Sequence, residues 1–96
     1  MFLARQTGGD RALEEEVLSL FCKQATTLGN ELRKRRSKEA RKENAHTLKG
    51  AARAVGAFGV AECASRIETD PANNGSVIDL LREVETARDY IASLLR

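Results

Sequence analysis

Residues 45–56, with the sequence AHTLKGAARAVG, predict a helix and set a glycine one turn after His46, the single histidine of the chain. Glycine inside a helix costs about 1 kcal/mol relative to alanine, because the unfolded chain loses more conformational freedom and no side chain packs in return. Gly50 therefore indicates a requirement for space. Either a neighbouring helix comes close at this position, or a molecule outside the chain needs room beside His46.

The remainder of the chain shows the same helical periodicity. Pro71 is the single proline, β-branched residues are sparse, and apolar residues recur at spacings of three and four. The 96 residues, of which 42% are hydrophobic and 31% charged, fit one domain that spans residues 1–96. These features predict an all-α protein.

Apolar stripes divide the chain into amphipathic helices, which we place at about residues 10–35, 37–56, 57–69 and 76–95. Short connections between amphipathic helices favour an antiparallel up-down-up-down four-helix bundle. A short helical turn within residues 1–6 is an addition that the sequence allows.

Polar residues and glycines predict where these helices begin and end. Ser76, with an acidic residue three positions later, resembles a capping box at the start of the last helix. Gly29, followed by an asparagine, allows a bend or an interruption in the first helix. The second helix is expected to end near Gly56 or Gly59.

Angular positions on the second helix place His46 on its outer face. At about 100° per residue, Ala52, Val55 and Asn44 lie within roughly 40° of Leu48 and define the buried face together with it. His46 lies about 160° from Leu48, so the imidazole is expected to face solvent. By the same count, five residues lie on or beside the stripe of His46, namely Glu39, Lys42, Lys49, Gly50 and Arg53.

An exposed imidazole beside a small residue and a cation is suited to hold a phosphoryl group that another protein must reach. Imidazole is sufficiently unprotonated near neutral pH to attack phosphorus. Phosphoryl transfer depends mostly on positioning and on neutralisation of the phosphoryl oxygens, which Lys49 can provide. The sequence around His46 has no cluster of carboxylates that would hold magnesium, so we expect the metal to belong to the partner.

The sequence HTLKGAA at residues 46–52, with Gly56 ten residues after the histidine, resembles the signature of histidine-containing phosphotransfer (HPt) domains. The resemblance implies a four-helix bundle whose histidine exchanges phosphate with aspartates of response-regulator receiver domains. It implies that His46 is the phosphoacceptor, that Lys49 stabilises the phosphate and that Gly50 provides clearance for the receiver. The chain departs from many members at positions 51 and 52, where alanines replace a serine.

The resemblance also implies a role for Glu68. Related domains carry a Glu or Gln twenty-two residues after the histidine, which binds the ring nitrogen that does not carry phosphate, and Glu68 holds this position. An acceptor on Nδ1 would fix the tautomer and raise the nucleophilicity of Nε2. The alternative, in which Glu68 is a surface residue without a partner, is open at this point.

The partners that the resemblance implies are receiver domains and a histidine kinase, including hybrid kinases. It implies a monomeric phosphoryl carrier that binds no cofactor itself, with Mg²⁺ held in the receiver. Autonomous kinase activity is not expected, because the sequence has no glycine-rich ATP loop and no room for a nucleotide-binding domain.

Residues 33–42 contain seven Lys or Arg, around the predicted connection between the first two helices. This basic run is interpreted as a solvated hairpin tip or as a surface that steers an acidic partner such as a receiver. The residues expected to contact the partner are Glu39, Arg41, Lys42 and Arg53.

Two alternative functions are left open by the sequence. Nucleic-acid binding is disfavoured, because no aromatic residues lie among the cations and the net charge is only +2. A protein interaction module without phosphotransfer would not depend on His46.

Location and redox state follow from what the sequence lacks. It has no apolar run long enough to span a bilayer and no signal-peptide layout, so we expect a cytoplasmic protein that does not enter a membrane. Cys22 and Cys63 lack the spacing of a zinc site and are expected to be reduced thiols.

Overall fold

The computed structural model describes residues 10–34 and 37–95. Its helices are α1 (Arg11–Arg33), α2 (Lys38–Ala54), α3 (Phe58–Thr69) and α4 (Asn74–Leu94). Each helix packs against the next one along the chain, and α4 packs against α1. The predicted all-α four-helix bundle is confirmed. The predicted turn near the N-terminus lies outside the described residues, and the assignment of the whole chain to one domain stays a prediction.

The interior of the bundle is formed by apolar side chains at helical spacing. Full burial of a valine, leucine, isoleucine or phenylalanine side chain stabilises the fold by about 1.5–3 kcal/mol. On α2 the buried residues include Ala45, Leu48 and Ala52, each with no exposed surface. Their burial fixes the rotation of α2 and turns its opposite face to solvent. The largest fully buried side chains are those of Leu18, Leu32, Leu48, Val60, Ile67, Leu80 and Ile91.

Side-chain caps set the starts of three helices. Asp10 and Ser37 each accept the N–H of the residue three positions later, at the starts of α1 and α2. Oδ1 of Asn73 accepts the N–H of Ser76 at 3.1 Å, so Asn73 caps α4. The prediction that Ser76 caps this helix is wrong. Because the helix begins directly after Asn73, Ser76 lies within its first turn, where its own N–H is the one that Asn73 caps. Ser76 is also buried.

Gly56 sets the end of α2. Its φ is 75°, in the left-handed region of backbone angles that residues other than glycine rarely adopt. The N–H of Gly56 donates to the carbonyl of Arg53 at 3.2 Å, and the N–H of Ala57 donates to that of Ala52 at 2.8 Å. These two bonds form a Schellman motif, which ends the helix. Of the two predicted stop signals Gly56 is the one used, and Gly59 lies inside α3.

Gly29 does not interrupt α1, which runs continuously through this position. The residue is buried, and a Cβ atom built on it would lie 3.2 Å from Cδ2 of Leu81 on α4. The glycine therefore lets α1 and α4 approach closely, and the packing on either side keeps the backbone helical despite its low propensity.

Among the described helices, none combines the length and the apolar character needed to cross a bilayer.

Candidate functional site

His46 projects from the outer face of α2. Its side chain is 68% exposed, which confirms the predicted orientation. Its Nδ1 lies 2.5 Å from Oε2 of Glu68. Because an ionised carboxylate can only accept a hydrogen bond, this contact assigns the proton of the neutral ring to Nδ1. Nε2 is then the unprotonated nitrogen, with its lone pair available to an incoming group.

Glu68 lies in the last turn of α3 and uses both carboxylate oxygens. Oε2 accepts from His46, and Oε1 accepts from Nζ of Lys49. These hydrogen bonds, first that of Lys49 and then that of His46, lower the pKa of Glu68 below its ordinary value. The carboxylate therefore stays ionised at neutral pH and continues to accept both bonds. The alternative in which Glu68 has no partner is wrong.

Lys49 contacts the same carboxylate from α2. Its side chain is 18% exposed and that of Glu68 is 20% exposed, so this ion pair is far less accessible than the imidazole beside it. Lysine carries a compact charge on a flexible four-carbon stem. One carboxylate, that of Glu68, thus binds both the ammonium group and the imidazole. The flexible stem of Lys49 allows the ammonium group to change position by rotation about its side-chain bonds.

Gly50 has no packing role within the part of the chain that the structure describes. It is exposed, and a Cβ atom built on it would meet no heavy atom within 4 Å. The close approach of any of the four described helices is therefore excluded as the reason for this glycine. The second explanation, space for a molecule outside the chain, is the one that the structure leaves.

A surface cavity of about 450 Å³ adjoins the imidazole. The predicted docking residues Glu39 and Lys42 line it, while Arg53 is exposed further along α2. Glu43 and Thr47 also line the cavity, and neither was predicted from the sequence. The spacing of three residues between Glu43 and His46 was the signal that would have found Glu43.

The assignment of Arg41 to the docking surface is wrong. The residue is only 8% exposed. Its Nη1 donates to the carbonyl of Pro71 at 2.9 Å and to Oδ1 of Asn74 at 3.0 Å. Arg41 lies one turn before Ala45 on the inward face of α2, so its position on the helix outweighs its charge.

The basic run is only partly described, because residues 35 and 36 lie outside the described ranges. Nζ of Lys34 pairs with Oε1 of Glu31 at 2.9 Å on the surface. Exposed pairs of this kind contribute little to stability. Lys38 and Lys42 are exposed at the start of α2 and contribute positive charge on the approach to His46.

The remaining reactive groups of the described residues do not form a second centre. Within residues 10–34 and 37–95, no group of His, Cys, Asp and Glu side chains is arranged to hold a metal ion. Cys22 and Cys63 are free thiols, and burial raises the pKa of each. A raised thiol pKa lowers the thiolate fraction at neutral pH and so lowers reactivity.

Comparison with known proteins agrees with this geometry. The family model described as the Hpt domain matches residues 16–95 of the chain. The match includes His46, Lys49, Gly50 and Glu68. No curated protein and no solved structure matches the chain. Hpt domains are phosphoryl carriers that interact with receiver domains and kinases in phosphorelays. Since the match extends over most of its length, the chain belongs to the Hpt domain family.

Proposed function

We propose that His46 accepts a phosphoryl group from a receiver-domain aspartate, or from a histidine kinase, and passes it to the aspartate of another receiver. Membership of the Hpt domain family supports histidine phosphotransfer in general. The observation that carries the assignment to His46 is its exposed imidazole, whose Nδ1 is bound by Glu68. His46 is also the single histidine of the chain, so no other imidazole competes for this role.

In the proposed transfer, the lone pair of Nε2 forms a bond to phosphorus. The bond between phosphorus and the aspartyl oxygen of the donor breaks, and its electron pair leaves with the donor carboxylate. The proton on Nδ1 stays in place, and the positive charge that develops on the ring is stabilised by the carboxylate of Glu68. The reverse sequence, with a different receiver, passes the phosphoryl group on.

Lys49 and Gly50 support this transfer in different ways. The ammonium group of Lys49 is proposed to neutralise charge on the phosphoryl oxygens, moving from Glu68 by rotation of its flexible stem. Gly50 leaves open the surface over which the receiver approaches the imidazole. Magnesium would be held by the receiver, whose phosphorylation pocket carries the carboxylates that this metal requires.

The docking surface is proposed to surround His46 on the outer face of α2. It comprises Glu39, Lys42 and Arg53, with Glu43 and Thr47 as additional residues of the adjoining cavity. The exposed cations near the start of α2 would steer an acidic receiver toward this face, so the association rate should fall as the salt concentration rises.

The proposal is tested by incubating the protein with a phosphorylated receiver and following the label. Wild type should acquire a label that is stable in alkali and lost in acid, which is the behaviour of a phosphoramidate. His46→Gln should acquire none. Arg82→Gln, a change at an exposed residue of α4, which carries none of the proposed docking residues, is the control and should be labelled like wild type. A label that persists in His46→Gln contradicts the proposal.

A further inference from the structure

Arg41 differs from the other described cations of the basic run because it is buried. It is 8% exposed, whereas Lys38 and Lys42 on the same helix are exposed. Its Nε is buried and has no hydrogen-bond partner among the described residues. Burying a charged group with one of its donors unsatisfied is costly. The bonds that its Nη1 makes must therefore bring a structural gain, and their location indicates which one.

Nη1 of Arg41 joins α2 to the connection between α3 and α4. It donates to the carbonyl of Pro71 and to the side chain of Asn74, the first residue of α4. The connection itself is tightly bonded. The N–H of Asp70 donates to the carbonyl of Arg66 at 2.9 Å, which couples this connection to the last turn of α3.

The last turn of α3 also carries Glu68, three residues before Pro71. On α2, Arg41 and His46 are five residues apart, or about 7.5 Å along the helix axis. α2 is thus bonded at two neighbouring positions, by Arg41 to Pro71 in the connection after α3 and by His46 to Glu68 in the last turn of α3. Because Glu68 lies only three residues before Pro71, a shift of Pro71 would also move the end of α3 that carries the carboxylate.

We infer that Arg41 is a positioning residue for the phosphoacceptor: it holds the last turn of α3 against α2 and thereby sets the contact between His46 and Glu68. The inference rests on the proposed function only for its effect on transfer. Without Arg41, Glu68 no longer binds Nδ1 in a fixed geometry, and the imidazole exchanges between its two tautomers. Transfer should then fall about tenfold, because misplacement on the scale of 1 Å costs up to about 10²-fold in rate.

The tautomer is measured on the unphosphorylated protein by long-range ¹H–¹⁵N NMR of the imidazole at a pH where the ring is neutral. Wild type should show a protonated Nδ1 and an unprotonated Nε2. Arg41→Met should show a mixture of both tautomers, and Arg41→Lys, which keeps one charged donor, a smaller change. Lys38→Met removes a cation from the exposed side of the same helix and should retain the wild-type spectrum.

Asn74→Ala provides a second variant, since it removes one acceptor of Arg41 without changing α2. It should move the spectrum in the same direction as Arg41→Met, and it decides the question if Arg41→Met does not fold. Wild-type imidazole spectra in both variants overturn the inference. Labelling of His46→Gln separates the two proposals: a label that persists in that variant contradicts the proposed function, whereas altered tautomers in the Arg41 and Asn74 variants still support the positioning role of Arg41.

Discussion

Gly29 and Gly50 are both glycines inside helices, yet they lie in opposite surroundings. Gly29 is buried at the contact of α1 with α4, where a Cβ would lie 3.2 Å from Leu81. Gly50 is exposed on α2, where a Cβ would touch nothing within 4 Å. Both carry the same cost in helix propensity. At Gly29 the approach of two helices offsets that cost inside the protein, whereas at Gly50 nothing in the described structure does. We therefore propose that Gly50 makes room for a partner protein.

The first prediction concerns the outer glycine and has the largest expected effect. Gly50→Leu should slow transfer from a phosphorylated receiver by about tenfold or more, because a side chain beside His46 holds the reacting groups apart. The folded protein should be at least as stable as wild type, since leucine is a good helix former. Single-turnover transfer and thermal unfolding measure the two effects. Transfer at the wild-type rate would remove the clearance role of Gly50.

The matched change at the inner glycine should have the opposite profile. Gly29→Leu places a side chain against Leu81, and overpacking of this kind costs about 1–3 kcal/mol. That cost exceeds the gain in helix propensity of about 1 kcal/mol. The melting temperature should fall, while the folded fraction transfers phosphate at the wild-type rate. A variant that is as stable as wild type would show that α1 and α4 do not need a glycine here.

A smaller substitution at the outer site isolates the cost of the glycine itself. Gly50→Ala should stabilise the protein by about 1 kcal/mol, because alanine restores helix propensity and its Cβ meets no neighbour. Denaturant unfolding measures the change. A destabilised variant would reveal a contact at Gly50 that the described residues do not show, and it would weaken the contrast with Gly29.

The smallest expected effect is the pH dependence of the stability that Glu68 contributes beside His46. The pKa of Glu68 is lowered in the folded protein by Lys49 and by His46, whereas the pKa of an unfolded glutamate is about 4.3. A lowered folded-state pKa contributes stability above the unfolded pKa, and this stability is lost as the pH falls through the folded pKa. Between pH 7 and pH 3, wild type should therefore lose more stability than Glu68→Gln. Thermal unfolding at the two pH values measures the difference.

The inner contact provides the control for this pH prediction. The contact of Gly29 with Leu81 involves no titratable group. The destabilisation caused by Gly29→Leu should therefore be the same at pH 7 and at pH 3. Equal losses of stability in wild type and in Glu68→Gln would show that the contacts of Glu68 do not stabilise the fold.

Much of the fold and part of the site were predictable from local sequence. The spacing of apolar residues predicted four helices and turned His46 outward, because helical periodicity alone determines which side chains share a face. Local sequence did not identify the cap of α4, because Asn73 and Ser76 are both good capping residues. The structure selects Asn73, which comes first in the chain.

The sequence by itself determined the helical pattern, the exposed histidine and the resemblance to HPt domains, since these depend on residues close together in the chain. Only the tertiary structure decided that Arg41 is buried and that Glu68 bridges His46 and Lys49. It also decided that Gly29 has an internal partner, whereas Gly50 has none among the described residues. Each of these depends on what faces the residue across the bundle. That neighbour belongs to another helix, and the periodicity of one helix specifies a face without specifying what will pack against it.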